Sequence, residues 1–267
     1  MEAKAVVAKP SALGSVWAIA RATLLEALRA RVFYVLVLFG IAMILFSRAF
    51  TWLSPGEEAK VILDLGISTI TLIGVIVAIF FGSGLIPNEV ENRTILTVLS
   101  KPVTRGQYVV GKFIGMALIL LVCLLPMAVF YWMAAKFYVG FWEWDLVKGV
   151  IMIYFQFLML SSVVIAISTV ASYIVNVVFG FTIYVLGNLV SYILHLMKRV
   201  EFELLRYALG VLYYLLPQLE RFNPGEGIFE YETIKSTDLL LTIGIYAIPY
   251  ILAMMILAWF LFSDREV

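Results

Sequence analysis

The feature that most constrains the fold of this chain is a stretch of 46 residues without a charge, residues 149–194. As one α-helix it would be about 69 Å long, which is about twice the hydrocarbon thickness of a bilayer. The stretch must therefore turn once. Its polar cluster of Ser172, Tyr173 and Asn176 is the predicted position of the turn, so this region predicts two membrane-spanning helices.

Four further apolar segments are also long enough to cross a membrane. Hydrophobic residues make up 63% of the chain and charged residues only 14%, so a water-soluble fold would lack the polar side chains to cover its surface. We predict an all-α integral membrane protein with six transmembrane helices. The predicted spans are residues 32–53, 65–87, 113–135, 149–172, 175–195 and 239–262.

The distribution of basic residues predicts the orientation in the membrane. Five basic residues lie in residues 1–31 and four in the loop after the second span, whereas the loops after the first and third spans hold three in all. Residues 198–238 hold five and run against this pattern, but the early helices weigh most in the positive-inside rule. We therefore expect a multi-pass protein of the cytoplasmic membrane with both termini in the cytoplasm. The net charge of +1 predicts no nucleic-acid partner.

Three segments outside the spans have a helical pattern of their own. Residues 13–30 predict either an amphipathic helix at the membrane surface or a basic anchor before the first span, within a cytoplasmic N-terminal segment of residues 1–31. Residues 88–100 predict a short amphipathic helix capped by Asn88, with Glu89 and Glu91 in its first turn. Residues 198–238 predict an outer cap with a helix that stops at Pro217.

The residue pattern predicts no catalytic or metal site in this chain. The single histidine, His195, has no acidic or cysteine partner at metal-binding spacing, and no GxxxxGK[ST] phosphate loop is present. The spans instead contain small and mildly polar residues, which favour close helix packing in lipid. The candidates for helix packing or a polar pathway are Gly111, Gly115, Asn176, Gly187 and Asn188.

One stretch of the sequence resembles a known family. IPNEVENRTILTVLSKPVTRGQYVVGKFIG at residues 86–115 is similar to the loop after the second span in the membrane subunits of type-2 ABC exporters. A weaker similarity, YYLLPQLERFNP at residues 213–224, matches the outer re-entrant segment before their last span. The resemblance implies an elbow helix before six spans, and a coupling helix at residues 88–100.

The resemblance also implies partners and roles. A cytoplasmic ABC ATPase subunit would bind the coupling helix, a second copy or a related permease would pair with this chain, and lipids would surround both. ATP and Mg²⁺ would bind the ATPase, so this chain is expected to bind no cofactor and to be no enzyme. The residues expected to couple to the ATPase are Asn88, Glu89, Glu91, Arg93, Thr94, Lys101 and Arg105. Lys112 is expected to anchor the start of the third span.

Two other functions remain open at this point. A polytopic membrane enzyme acting on lipids would need an acidic or histidine cluster at a membrane face, and the acids of residues 226–232 are the nearest group. A non-transporting scaffold or signalling permease would share the architecture of an exporter. The transported substrate does not follow from the sequence.

Overall fold

The computed structural model describes residues 12–51, 58–91, 103–139, 144–199, 202–223 and 241–263. The described residues form α-helices, short π and 3₁₀ turns and their connections, with no strand among them. In chain order the α-helices are α1 (Ala12–Arg29), α2 (Arg31–Phe50), α3 (Glu58–Gly84), α4 (Pro87–Glu91), α5 (Arg105–Ala134), α6 (Trp144–Ser168), α7 (Tyr173–Gly187), α8 (Val190–Arg199), α9 (Glu203–Leu215) and α10 (Ile248–Ser263). Two π-turns, Ala135–Val139 and Thr242–Ala247, continue α5 and precede α10, and a 3₁₀ turn covers Leu219–Phe222.

Five continuous helical segments of the described chain are long and apolar enough to cross a membrane. They are Arg31–Phe50, Glu58–Glu91, Arg105–Tyr138, Leu146–Ser168 and Thr242–Ser263. A sixth span results if α7 and α8, which are bent by 64° at their junction, cross together. The predicted all-α membrane class is confirmed, and the residues of the fifth predicted span form the bent pair α7 and α8.

Helices α3 and α6 form the centre of the bundle. Of their most apolar windows, 67% and 72% of residues are buried inside the protein, against 28% for α2 and α10. Glycines on α3 make this packing possible: a Cβ on Gly74 would collide with the Phe157 ring of α6, and one on Gly82 would lie 3.0 Å from Val164. Close helix approach at small residues stabilises helix association where lipid removes the hydrophobic driving force.

Of the polar cluster predicted to hold the turn between α6 and α7, Ser172 lies in the turn, whereas Tyr173 and Asn176 lie in α7. Helix α6 ends at Ser168 and α7 begins after Ser172. Asn176 lies inside α7, and its Nδ2 donates to the carbonyl oxygen of Val164 on α6 at 3.0 Å. The side chain therefore joins the two helices beside their turn.

The segment after the fifth span contains the predicted helix that stops at Pro217. Helices α8 and α9 form a hairpin, and Val190, Ile193 and Leu216 pack together at its base. The 3₁₀ turn then returns the chain to the bundle, where Leu219 and Phe222 are fully buried. Residues 224–238 of the predicted cap lie outside the described residues.

Candidate functional site

Helix α4 stands at one end of the bundle, directly after α3. It begins at Pro87, so Asn88 lies in its first turn and is not the N-cap predicted from the sequence. Asn88 and Glu91 are exposed, whereas Glu89 is turned towards the protein. Pro87, the first residue of the helix, and Ile86, directly before it, are buried. Arg93, Thr94 and Lys101, also predicted to couple to an ATPase, lie outside the described residues.

Glu89 is bound by two side chains of α5. Its carboxylate accepts a hydrogen bond of 2.5 Å from the Tyr108 hydroxyl and forms an ion pair of 2.6 Å with the Lys112 ammonium. The Lys112 side chain is 3% exposed and that of Glu89 20%. A buried cation needs such a partner, because its desolvation is otherwise uncompensated. The structure thus places Lys112, predicted as an anchor of the third span, against Glu89.

Arg105, in the first turn of α5, binds the end of the last helix. Its Nη1 donates to the carbonyl oxygens of Phe262 and Ser263, both at 2.7 Å. These carbonyls have no partner within α10 because they belong to its last turn, and a cation there also interacts favourably with the helix dipole. One turn along α5, the Tyr108 ring stacks on that of Phe262 with centroids 5.3 Å apart. We call the region where α4, the first turns of α5 and the last turn of α10 meet the Glu89 end of the bundle.

A capping box sets the start of α5 well before residue 113, where the sequence analysis placed the third span. The Thr104 hydroxyl accepts from the Gln107 backbone N–H at 3.3 Å, and the Gln107 side chain accepts from the Thr104 N–H at 3.1 Å. The early start is what brings Arg105, Tyr108 and Lys112 onto one helix. Tyr108, Thr104 and Gln107 were not among the residues predicted from the sequence, although T-R-G-Q is a recognisable capping-box signal.

Gly111 and Gly115 hold α1 against α5. A Cβ on Gly111 would lie 2.8 Å from the Cβ of Ile19 and 3.1 Å from the Val16 carbonyl oxygen; one on Gly115 would lie 2.7 Å from the Cβ of Thr23. In the structure the close neighbour of this GxxxG pair is α1. The two helices run in the same direction, so the first residues of α1 also lie towards the Glu89 end.

Gly187 and Asn188 lie at the opposite end of the bundle, where α7 meets the segment before the last span. A Cβ on Gly187 would be 2.7 Å from the Pro217 carbonyl oxygen. The Asn188 side chain donates to the Tyr184 carbonyl oxygen at 2.8 Å and accepts from Gln156 at 3.4 Å. Gly187 and Asn188 do not lie together with Asn176. Each of the three residues makes its own contact with a neighbouring helix or segment.

The described part of the chain brings together no three His, Cys, Asp or Glu side chains that could hold a metal ion. His195 is exposed on α8. Among the described residues, the ion pair of Glu89 with Lys112 and the hydrogen bonds from Tyr108 and Arg105 connect α4, α5 and α10 at the Glu89 end. Its chemistry is that of ion pairs and hydrogen bonds between helices, which suits a mechanical connection.

Comparison with known proteins identifies one family. The sequence profile described as "ABC-2 family transporter protein" matches residues 17–267, from within α1 to the C-terminal residue. No curated protein matches the chain.

Proposed function

Because the chain belongs to the ABC-2 family of transporter proteins, and so is a membrane subunit of a transporter, we propose that it serves an ATP-driven exporter as a dimer with separate cytoplasmic ATPase subunits. In this proposal ATP and Mg²⁺ bind the ATPase. The chain itself supplies the membrane path and the surface on which the ATPase acts.

The observation that carries the proposal is the construction of α4. It is a short helix with two exposed polar side chains, Asn88 and Glu91, and an inner side tied to the bundle through Glu89. A helix held in this way can receive force on its outer surface and pass it inwards. We propose that the ATPase docks on Asn88 and Glu91 and on the following residues, which include Arg93, Thr94 and Lys101.

The Glu89 end is proposed to face the cytoplasm. Both ends of the described chain lie at this end, since α1 begins beside the start of α5 and Arg105 binds the last turn of α10. Both termini are expected in the cytoplasm. In the sequence, residues 1–31 and the loop after the second span hold nine basic residues, and the positive-inside rule favours the cytoplasm for such segments. The localisation proposed is the inner membrane.

An exposed apolar face of α7 supports pairing with a second permease. Ile174, Val178 and Phe179 are among its most exposed side chains, at 74%, 61% and 53%. In a membrane such a face contacts lipid or another helix. We propose that it contacts a second copy, and that α3 and α7 of both copies line the transport path.

The test is co-expression of the chain with its cognate ATPase, followed by purification in detergent and measurement of ATP turnover. We expect a stable complex that Glu91→Lys disrupts, because the exposed charge on the docking surface is reversed. Glu203→Lys is the matched control, since Glu203 is also exposed but lies at the start of α9.

Two outcomes contradict the proposal in different ways. A chain that purifies without any ATPase favours the alternative of a membrane enzyme acting on lipids. A stable complex that hydrolyses ATP without exporting anything from vesicles favours a scaffold or signalling permease.

A further inference from the structure

The outer and inner sides of α4 differ in chemistry. Asn88 and Glu91 are exposed, while the Glu89 carboxylate is held at 2.5 Å and 2.6 Å by Tyr108 and Lys112. An oxygen pair engaged in this way inside the protein is not a docking contact. The contacts of Glu89 instead join α4 to the first turns of α5.

The two partners of Glu89 lie one helical turn apart on α5, and the same turns contact two more helices. Arg105 binds the last carbonyls of α10, and Tyr108 stacks on Phe262. Gly111, which lies between Tyr108 and Lys112 in the sequence, contacts α1. A displacement of Glu89 therefore acts on the part of α5 that also holds α1 and α10.

The energetics favour motion of these helices as one body. Lys112 is nearly inaccessible to solvent, so a movement of α4 that broke its ion pair would leave a buried charge without a partner. Keeping the pair while α4 moves requires α5 to follow. The close contact between α1 and the glycines of α5 makes α1 respond as well, because a close-packed interior transmits strain.

We propose that Glu89 is a positioning residue that transmits the movement of α4 to α5, and through α5 to α1 and α10, by its ion pair with Lys112 and its hydrogen bond from Tyr108. This inference rests on the proposed function, and it changes the role of Glu89 from ATPase contact to internal joint. The ATPase docks on the outer side of α4, and the inner side of α4 transmits its movement to α5.

The first experiment measures transmission in the complex with the ATPase. The reporter is Tyr207→Cys, on exposed α9 at the other end of the molecule, in a Cys123→Ala background. Its rate of labelling by a maleimide is compared without nucleotide and with ATP plus vanadate. With Glu89→Gln we expect the complex and basal ATP turnover to persist while the nucleotide-dependent change in labelling rate falls by about tenfold.

A charge swap and a matched control sharpen the result. Glu89→Lys combined with Lys112→Glu is expected to restore much of the nucleotide-dependent change, since the Tyr108 hydroxyl can then accept from the new lysine. Glu91→Gln, on the outer side of the same helix, is expected to weaken the complex while leaving transmission intact in whatever complex forms. If Glu89 had a purely structural role, Glu89→Gln would not lower the nucleotide-dependent change in labelling rate while leaving the complex with the ATPase intact.

The second experiment needs no ATPase. In the purified chain, Glu89→Gln is expected to speed hydrogen exchange at residues 258–263 of α10 as well as at residues 87–91, and Tyr108→Phe to do so more weakly. An effect confined to residues 87–91 overturns the inference, as does wild-type transmission in the Glu89→Gln complex. If no ATPase binds the unmutated chain, the proposed function fails, whereas exchange at residues 258–263 still decides whether the joint exists.

Discussion

At the scale of single residues, the glycines of α5 show how closely two helices of this chain approach. The β-branched side chains of Ile19 and Thr23 occupy the places that Cβ atoms on Gly111 and Gly115 would take. A β-carbon is fixed to its backbone, so these neighbours cannot rotate away from an added methyl group. At Gly244, before α10, an added Cβ would meet no packing neighbour of the described chain within 4 Å.

We therefore predict opposite effects of the same substitution at two sites. Gly115→Ala should destabilise the protein by about 1–3 kcal/mol because it overpacks the contact between α1 and α5. Gly244→Ala should be neutral or slightly stabilising. The measurement is the melting temperature of each purified variant in one detergent, and equal melting temperatures would show that α1 is not packed against α5 as described.

Arg105 allows a second prediction at this scale. Arg105→Met keeps an apolar side chain but loses both hydrogen bonds to the last turn of α10, which should weaken that turn by about 1 kcal/mol. Hydrogen exchange at residues 260–263 should then be about fivefold faster. Arg21→Met, at an exposed position on α1, serves as the control, and a similar acceleration in both variants would argue against the cap.

At the scale of elements, the broken helix α7–α8 is the largest departure from a simple bundle. The bend follows Gly187, which lets the Pro217 carbonyl approach α7. The returning segment is also held from the last span, since the Tyr246 hydroxyl accepts from the Gln218 N–H at 2.8 Å. Tyr246 belongs to the π-turn before α10, and π-turns are frequent at functional positions.

A methyl group at Gly187 should displace this segment. Gly187→Ala is expected to push Pro217 outwards and to increase hydrogen exchange of the Gln218 amide by at least about fivefold, as the bond to Tyr246 opens. Gly210→Ala on α9 is the matched control, because its nearest neighbour, the Met197 sulfur, is 3.8 Å away. Unchanged exchange at Gln218 would mean that the segment is not held against α7.

At the scale of the whole molecule, the two ends of the bundle differ in what they expose. The Glu89 end carries α4 and the first residues of α1, and the other end carries the α8–α9 hairpin. In a Cys123→Ala background, a membrane-impermeant maleimide should label Leu13→Cys and Glu91→Cys from one side and Tyr207→Cys from the other. Right-side-out and inside-out vesicles distinguish the sides, and labelling of Leu13→Cys from the side of Tyr207→Cys would exclude the proposed topology.

The amino-acid sequence by itself determined the class of the fold and the approximate positions of the spans. This was possible because lipid offers no hydrogen bonds to the backbone. A long apolar segment in a membrane therefore forms an α-helix, which satisfies its backbone groups internally. The turn near Ser172 and the helix end before Pro217 followed from local chemistry in the same way. The family resemblance of residues 86–115 was also contained in the sequence, and the family match agrees with it.

Only the tertiary structure decided which side chains meet. Glu89 binds residues 19 and 23 positions away, and Arg105 binds a carbonyl 157 positions away. No local periodicity encodes such distances, because they depend on which helices become neighbours. For this reason the sequence marked Glu89 and Glu91 as equivalent acids on one short helix, whereas the fold pairs the partly buried Glu89 with Lys112 and exposes Glu91.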